Sequence, residues 1–221
     1  MKILLVADHE EAALWGAGNK DIINKLADVD LVLSAGDLSS YYLEYLADNI
    51  KAPLVYVPGN HDQGYVNKPP KKCINTDGKI TELSIIRENC NNKVRIFGIG
   101  GSMRYKSGTY QYSEEEQSHR VQELMRTAGK NGITKDDSLD ILLTHAPCKG
   151  YGDMQDMPHR GFECFNDFLY AFKPRLHCYG HIHEEYRSIS AESNGKGYRR
   201  VLTHPSGTDL INGSGYCFII I

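Results

Sequence analysis

Several common functions are excluded by what this sequence lacks. Its six cysteines, Cys73, Cys90, Cys148, Cys164, Cys178 and Cys217, form no Cys-x-x-Cys pair. That argues against a zinc ribbon or a thioredoxin-type site and for reduced thiols scattered through packed positions. No run of about 18 apolar residues occurs, so no membrane-spanning helix is expected. The start, Met1 to Asp8, is too short for the apolar region of a secretory signal, and the chain reads as soluble and cytoplasmic. Lys plus Arg number 25 against 28 Asp plus Glu, a net charge of −3. Neither the basic excess of a nucleic-acid binder nor the acidic tail of a disordered chain is present. There is no Gly-x-Ser-x-Gly, which leaves serine-hydrolase chemistry unsupported. No internal repeat, low-complexity tract or linker divides the 221 residues, so residues 1–221 read as a single domain.

A series of short apolar runs is present: Ile3 to Ala7, Leu31 to Leu33, Leu54 to Val57, Ile96 to Ile99 and Leu139 to Leu143. Continuous Val/Ile/Leu runs of this length predict strands covered on both faces. Helical stripes lie between them. Ile22, Ile23, Leu26 and Ala27 make one; Leu43, Leu46, Ala47 and Ile50 make another, opened by Ser39 or Ser40 and closed before Pro53. Ser113-Glu114-Glu115-Glu116 is a capping-box pattern ahead of Val121, Leu124, Met125 and Ala128. Its glutamates read as first-turn residues complementing the helix dipole rather than as metal ligands. Phe165, Phe168, Leu169 and Phe172 form a last stripe ended by Pro174. Beyond it, Glu185 to Ala191 and Tyr198 to Leu202 flank Ser193-Asn194-Gly195, a hairpin signal, and Tyr216 to Ile221 comes after Asn212-Gly213. A βαβα order followed by antiparallel strands predicts an α/β fold with two sheets, or one mixed sheet, covered by helices.

The chemistry is concentrated at the ends of the predicted strands. Asp8 ends the first run, Gly36-Asp37 the second, Gly59-Asn60-His61-Asp62 the third, Thr144-His145-Ala146-Pro147 the fifth, and Gly180-His181-Ile182-His183 comes after Leu176 to Tyr179. In open α/β sheets, ligands bind outside the carboxyl ends of strands. A lone Asp or His after a strand is ordinarily a turn or capping residue, but five such endings in one order exceed what turn chemistry explains. Two carboxylates, an amide oxygen and several imidazoles, with no thiolate, suit borderline ions such as Mn, Fe, Zn or Ni.

This ordered set resembles the calcineurin-like metallophosphoesterase superfamily, over residues 8 to 183. The resemblance implies a four-layered α/β/β/α sandwich of two mixed sheets, with a dinuclear metal site at the strand carboxyl ends. It implies that Asp37 bridges two divalent ions, Mn first among them. Asp8 and His183 would hold one ion, and Asn60, His145 and His181 the other. His61 would be the non-ligand catalytic histidine, acting as acid or electrostatic stabiliser. Two ions roughly 3.5–4 Å apart can clamp a phosphate and hold a bridging hydroxide that attacks in line. The implied activity is a phosphatase or phosphodiesterase acting on a phosphomonoester or small phosphodiester. Partners would be the small phosphoester alone, without membrane or long nucleic acid. A second reading keeps the fold and makes it a metal-binding interaction scaffold, as in the superfamily's retromer subunit.

Two departures from the pattern stand out. The superfamily's first motif is usually Asp-x-His, whereas this chain has Asp8-His9-Glu10. Glu10 could replace the imidazole, or the first ion could have fewer ligands; His9 stands at the wrong offset. Many members also carry an acid three residues after the bridging Asp, and here that position is Ser40, with Asp62 a possible substitute. Other residues read as structural or solvated first. They are Arg104 and Tyr105 after the Gly-rich run 98–102, Asp153, His159 and Arg160 in a loop from Cys148 to Gly161, and His119, His177 and His204.

Overall fold

The computed structural model describes residues 1–15, 24, 26–87, 90–133, 138–183 and 202–221. Its strands, in chain order, are β1 (Lys2–Ala7), β2 (Leu31–Ser34), β3 (Leu54–Tyr56), β4 (Ile74–Asn75), β5 (Lys79–Arg87), β6 (Cys90–Ile99), β7 (Ser102–Met103), β8 (Gln111–Tyr112), β9 (Leu139–Thr144), β10 (Leu176–Tyr179), β11 (Leu202–Thr203), β12 (Asp209–Asn212) and β13 (Gly215–Ile220). The helices are α1 (Ala12–Trp15), α2 (Ser40–Asn49), α3 (Glu114–Lys130) and α4 (Glu163–Phe172). One sheet has the order β13-β1-β2-β3-β4, parallel except for β13. The other has the order β11-β12-β10-β9-β6-β5, parallel in its centre and antiparallel at both edges. Both sheets are therefore mixed.

The layers follow from the pleat. Successive side chains of a strand point to opposite faces, so Ile3, Leu5 and Ala7 of β1 join one cluster and Leu4 and Val6 another. The first cluster lies between the sheets and takes Val94, Ile96, Ile141, Leu143 and Cys178 from the facing sheet. The outer face of the first sheet packs on Tyr42, Leu43 and Leu46 of α2. The outer face of the second packs Phe97, Leu142 and Leu210 on Val121 and Leu124 of α3 and Phe165, Phe168 and Leu169 of α4. The result is α/β/β/α. Because both faces of each sheet are covered, the central strands need unbroken apolar runs. Burying one such side chain contributes about 1.5–3 kcal/mol.

Helix boundaries follow local chemistry. Ser39, not Ser40, caps α2 by accepting the Tyr42 N–H. Ser113 and Glu116 form the reciprocal capping box of α3. The N-cap of α4, Phe162, has no side-chain acceptor; instead Glu114 of α3 reaches across and accepts from the N–H groups of Glu163 and Cys164. The α4 helix ends where Lys173 turns left-handed, ahead of Pro174.

Differences from the sequence reading are local. The apolar run at 96–99 is only the end of β6, which pairs antiparallel with β5 from Lys79↔Gly98 to Arg87↔Cys90. β5 is an edge strand in which polar residues interrupt the apolar ones, so it lacks the unbroken run that marks its neighbours. β12 is likewise too short and polar to stand out in sequence; it joins parallel beside β10, and β13 then crosses to the other sheet beside β1. Ile22 and Ile23 of the first helical stripe, and the hairpin expected around Ser193-Asn194-Gly195, lie outside the described residues.

Candidate metal centre

The carboxyl ends of β1, β2, β3, β9 and β10 meet at one edge, and the backbone there is unusual. Asp8, Asp37 and His181 all have positive φ, at 64°, 57° and 67°. Non-glycine residues rarely adopt this conformation, and it concentrates at functional sites held by their surroundings. At Asp8 the turn is tight: the His9 N–H returns to the Ala7 carbonyl at 2.7 Å. Gly36 and Gly59 let two loops touch. A Cβ on Gly36 would collide with the Gly59 nitrogen, and one on Gly59 would collide with Asp37 Oδ1. Asp62 locks that contact, with Oδ2 accepting from the Asp37 N–H at 2.8 Å and the Gly59 N–H at 2.7 Å.

Ligand atoms of Asp37, His145 and His181 lie within 4.8 Å of one another. Nδ1–H of His145 donates to the Ala35 carbonyl at 2.7 Å, which leaves Nε2 as the nitrogen that faces the site. That nitrogen faces Asn60 Oδ1 at 3.0 Å and Asp37 Oδ2 at 3.4 Å. Similarly, Nε2–H of His181 donates to the Pro158 carbonyl at 2.7 Å, so its Nδ1 lone pair stays available. Backbone carbonyls fixing the tautomer of an imidazole are the usual support of a ligating histidine. The Asp8 side chain is fully buried, accepts the His181 N–H through both oxygens at 2.9 and 3.0 Å, and lies 4.0 Å from His183 Nε2. The six predicted ligands thus share one edge, with three of them clustered tightly.

The electrostatics ask for positive charge. Burial pushes the Asp8 carboxyl up, against the opposing pull of His145, and the neighbouring Asp37 adds to the rise. Burial would raise Asp37 too, but the His145 imidazole outweighs it and holds that carboxyl well below the usual range. His145 itself would be lowered by its complete burial, and the Asp37 charge reverses this. Two buried carboxylates beside an amide oxygen are satisfied by a cation. A proton on His145 is one solution; a metal ion on the same lone pairs is the other. The donor set, oxygen and nitrogen without thiolate, fits a divalent metal.

A sequence model of the calcineurin-like phosphoesterases matches residues 1–185. The chain belongs to the calcineurin-like phosphoesterase family. It is 42% identical to the UPF0046 protein T07D4.2 of Caenorhabditis elegans over 50 residues, which is 22% of this chain and 13% of that protein's length. Its fold is similar to that of TT1561 of Thermus thermophilus, with a TM-score of 0.58 and 13% identity over 97% of this chain and 89% of that one. It is similar to the phosphopantetheinyl hydrolase of Mycobacterium tuberculosis, with a TM-score of 0.54 and 12% identity over 96% and 88% of the two chains. It is also similar to GAP50, the anchor in the inner membrane complex of Plasmodium, with a TM-score of 0.57 and 11% identity over 97% and 71%. These likenesses concern the fold. No helix among the described residues is long and apolar enough to cross a membrane.

The structure places the residues at which this chain departs from the family pattern. Glu10, at the usual histidine offset, accepts the Ser39 N–H at 2.9 Å, so one of its oxygens is committed to the start of α2. His9 instead turns its ring toward His183, 4.8 Å between centroids and edge-on. Asp62 does not stand in for the acid missing at Ser40. Its carboxylate points back into the Gly59 and Asp37 backbone, and burial, then the Asp37 charge, pushes it up to about 7. His61 is exposed; its backbone N–H donates to Asp37 Oδ1 at 2.8 Å, and its imidazole makes no hydrogen bond among the described residues. His204 lies away from the cluster, packed between Tyr151 and Tyr170 with Nδ1 on the Ser206 hydroxyl. Residue-level reading missed the Pro158 carbonyl, which carries no side-chain signal. It also missed the role of Asp153, whose carboxylate ties the Gly150 and Gly161 N–H groups at 2.9 and 3.0 Å. An acid beside Gly152 and between Gly150 and Gly161 was the available sign of that clamp.

Proposed function

We propose that this calcineurin-like phosphoesterase hydrolyses a phosphomonoester or a small phosphodiester at a two-metal centre, with manganese as the working ion. Asp8 and His183 would hold one ion, Asn60, His145 and His181 the other, and Asp37 both. The observation that carries the reading is the convergence of Asp37, His145 and His181, with two imidazole tautomers set by backbone carbonyls. When bound, such ions supply Lewis-acid charge to phosphoryl oxygens and bring the pKa of a water toward neutrality.

The chain's own groups do the rest. Ala35 and Pro158 carbonyls keep the lone pairs of His145 and His181 aimed outward from their N–H bonds. Asp62 keeps Asp37 and Gly59 in register. His61 stands beside Asp37 at the solvent side, with an unengaged imidazole. From there it donates a hydrogen bond to the ester, as acid to the leaving oxygen or as stabiliser of equatorial charge.

The test is hydrolysis of p-nitrophenyl phosphate and bis-p-nitrophenyl phosphate by the Mn-loaded protein. Turnover that chelation abolishes and Mn restores is the expected outcome, and the ratio of the two rates assigns monoesterase or diesterase. A protein that binds Mn and turns over neither ester contradicts the reading. It would favour the scaffold alternative, for which the fold shared with the GAP50 anchor is the supporting observation. The unengaged His61 imidazole favours the enzyme, since nothing structural depends on it.

A further inference from the structure

A cavity of about 390 Å³ lies beside the metal centre, and its walls include none of the candidate ligands. Met103, Arg104, Lys149, Met157 and Arg160 are among its lining. Its position follows from topology. Met103 and Arg104 come just after the carboxyl end of β6, and Lys149 just after that of β9, while His145 and His181 leave β9 and β10. Because β6, β9 and β10 are neighbours in that order, the cavity continues the metal-binding edge along the second sheet.

One segment joins the two. Its Pro158 carbonyl accepts from His181, and the His159 ring lies 5.3 Å from the His181 ring. Two residues on, Gly161 is pinned by Asp153 and packs so closely that a Cβ there would meet the Cys148 carbonyl carbon at 2.6 Å. Phe162 then bridges to Cys148. Arg160 therefore sits between two anchored residues, with its Cα no more than roughly 7 Å from that of Pro158. This is a built platform rather than a loose loop tip.

Charge bookkeeping singles out Arg160. Arg104 is paired with Glu116 at 2.6 Å, and Lys149 with Glu163 at 3.1 Å. Glu114, the remaining acid of the lining, is occupied by the N–H groups that open α4. Arg160 has no ion pair and no hydrogen bond among the described residues, and it lines a wall that also presents the Met103 and Met157 side chains. A guanidinium fork without a partner, beside apolar surface, is suited to bidentate capture of phosphate or carboxylate.

The geometry points to a second anion subsite at Arg160, so that the substrate is a phosphoester carrying a distal phosphate or carboxylate on an apolar connector. The scissile phosphate lies at the metal centre, the connector runs past Met157 and Met103, and the distal anion reaches Arg160. This rests on the phosphoesterase reading above and narrows its substrate class.

The test uses α,ω-alkanediol bisphosphates of two to eight carbons, each compared with the alkyl monophosphate of equal length on the Mn-loaded protein. The expected result is a best length at which kcat/KM for the bisphosphate exceeds that for the monophosphate by about tenfold. In Arg160→Gln that ratio falls to about one, and Arg160→Lys restores part of it. Matched ω-carboxyalkyl phosphates tell which anion is preferred, and either preference supports the subsite. An Arg160→Gln ratio equal to wild type overturns it. Should no ester be hydrolysed at all, the phosphoesterase reading fails, and calorimetric titration of 1,6-hexanediol bisphosphate still decides the subsite. Weakening by about tenfold in Arg160→Gln supports it; equal affinities, or no binding to either protein, overturn it.

Discussion

His61 and His145 both stand just beyond strand ends and look alike as residues, yet the structure gives them opposite duties. His145 is buried to 0% exposure with one nitrogen on the Ala35 carbonyl and the other facing oxygen acceptors. His61 hydrogen-bonds to the cluster through its backbone N–H, and its exposed imidazole acts on Asp37 by charge alone. We therefore expect His145→Ala to lose bound metal, as read by emission spectroscopy after dialysis, and to lose turnover with it. His61→Ala should retain its metal while kcat falls by about a hundredfold or more. A His61→Ala protein with wild-type turnover would remove His61 from the mechanism. Loss of its metal would instead make it a ligand. At the same scale, Glu10→Gln keeps an oxygen for the Ser39 N–H, whereas Glu10→Ala removes it.

Among the elements, loops rather than strands hold the specific geometry, and glycine is where this is measurable. Gly36 and Gly78 both have positive φ, at 91° and 66°. Around Gly78 there is open space, while Gly36 packs against the Gly59 backbone. Gly78→Ala should cost about 1 kcal/mol for left-handed strain alone. Gly36→Ala should cost about 2 kcal/mol more, because a loop carrying Asp37 must move. In thermal unfolding, a chain of this size loses about 2–4 °C per kcal/mol. Equal midpoints for the two variants would contradict the close approach. Helix α3 gives a second case. Ser113→Ala removes the acceptor for the Glu116 N–H in the capping box, which typically costs about 1 kcal/mol. Because Glu114 of the same turn also caps α4, fraying of α3 should loosen the cavity wall as well.

For the whole molecule, one contribution to pH stability comes from a histidine outside the site. His177 lies in β10 with Nε2 on the Thr144 hydroxyl and Nδ1 buried without a hydrogen-bond partner among the described residues. Burial, and then the nearby His204 charge, depresses its imidazole from 6.5 to about 3. The unfolded chain protonates there below 6.5 and the folded chain does not. This contribution is thus whole above 6.5 and is lost as pH falls toward about 3. In urea unfolding, the loss of stability from pH 7 to pH 5 should be greater in wild type than in His177→Gln, by no more than about 1.4 kcal/mol per pH unit, while Asp62, pushed up to about 7, acts in the opposite sense in both proteins. The slope should flatten in His177→Gln; an unchanged slope would assign the acid sensitivity elsewhere.

Much of this architecture is written in local pattern. Unbroken runs such as Ile3 to Ala7 require cover on both faces, which dictates sheets between helices. Gly-Asp, Gly-Asn-His and Gly-His endings mark the edge where polar groups gather. Edge strand β5 was not legible, because half of its residues face solvent and break the run. Nor were the carbonyls of Ala35 and Pro158, since every residue has one and nothing local says which is aimed at an imidazole. Ala35 and His145 are 110 positions apart, and only the register of two packed sheets brings them to 2.7 Å. The same holds for the cavity, whose walls combine strand β7, the starts of α3 and α4 and the loop between β9 and α4. Periodicity along a chain determined which elements form and which residue types reach the edge. Which ring nitrogen faces the site, and an Arg160 side chain left without a partner among the described residues, were decided only by tertiary packing, because each depends on distances between groups that no local pattern relates.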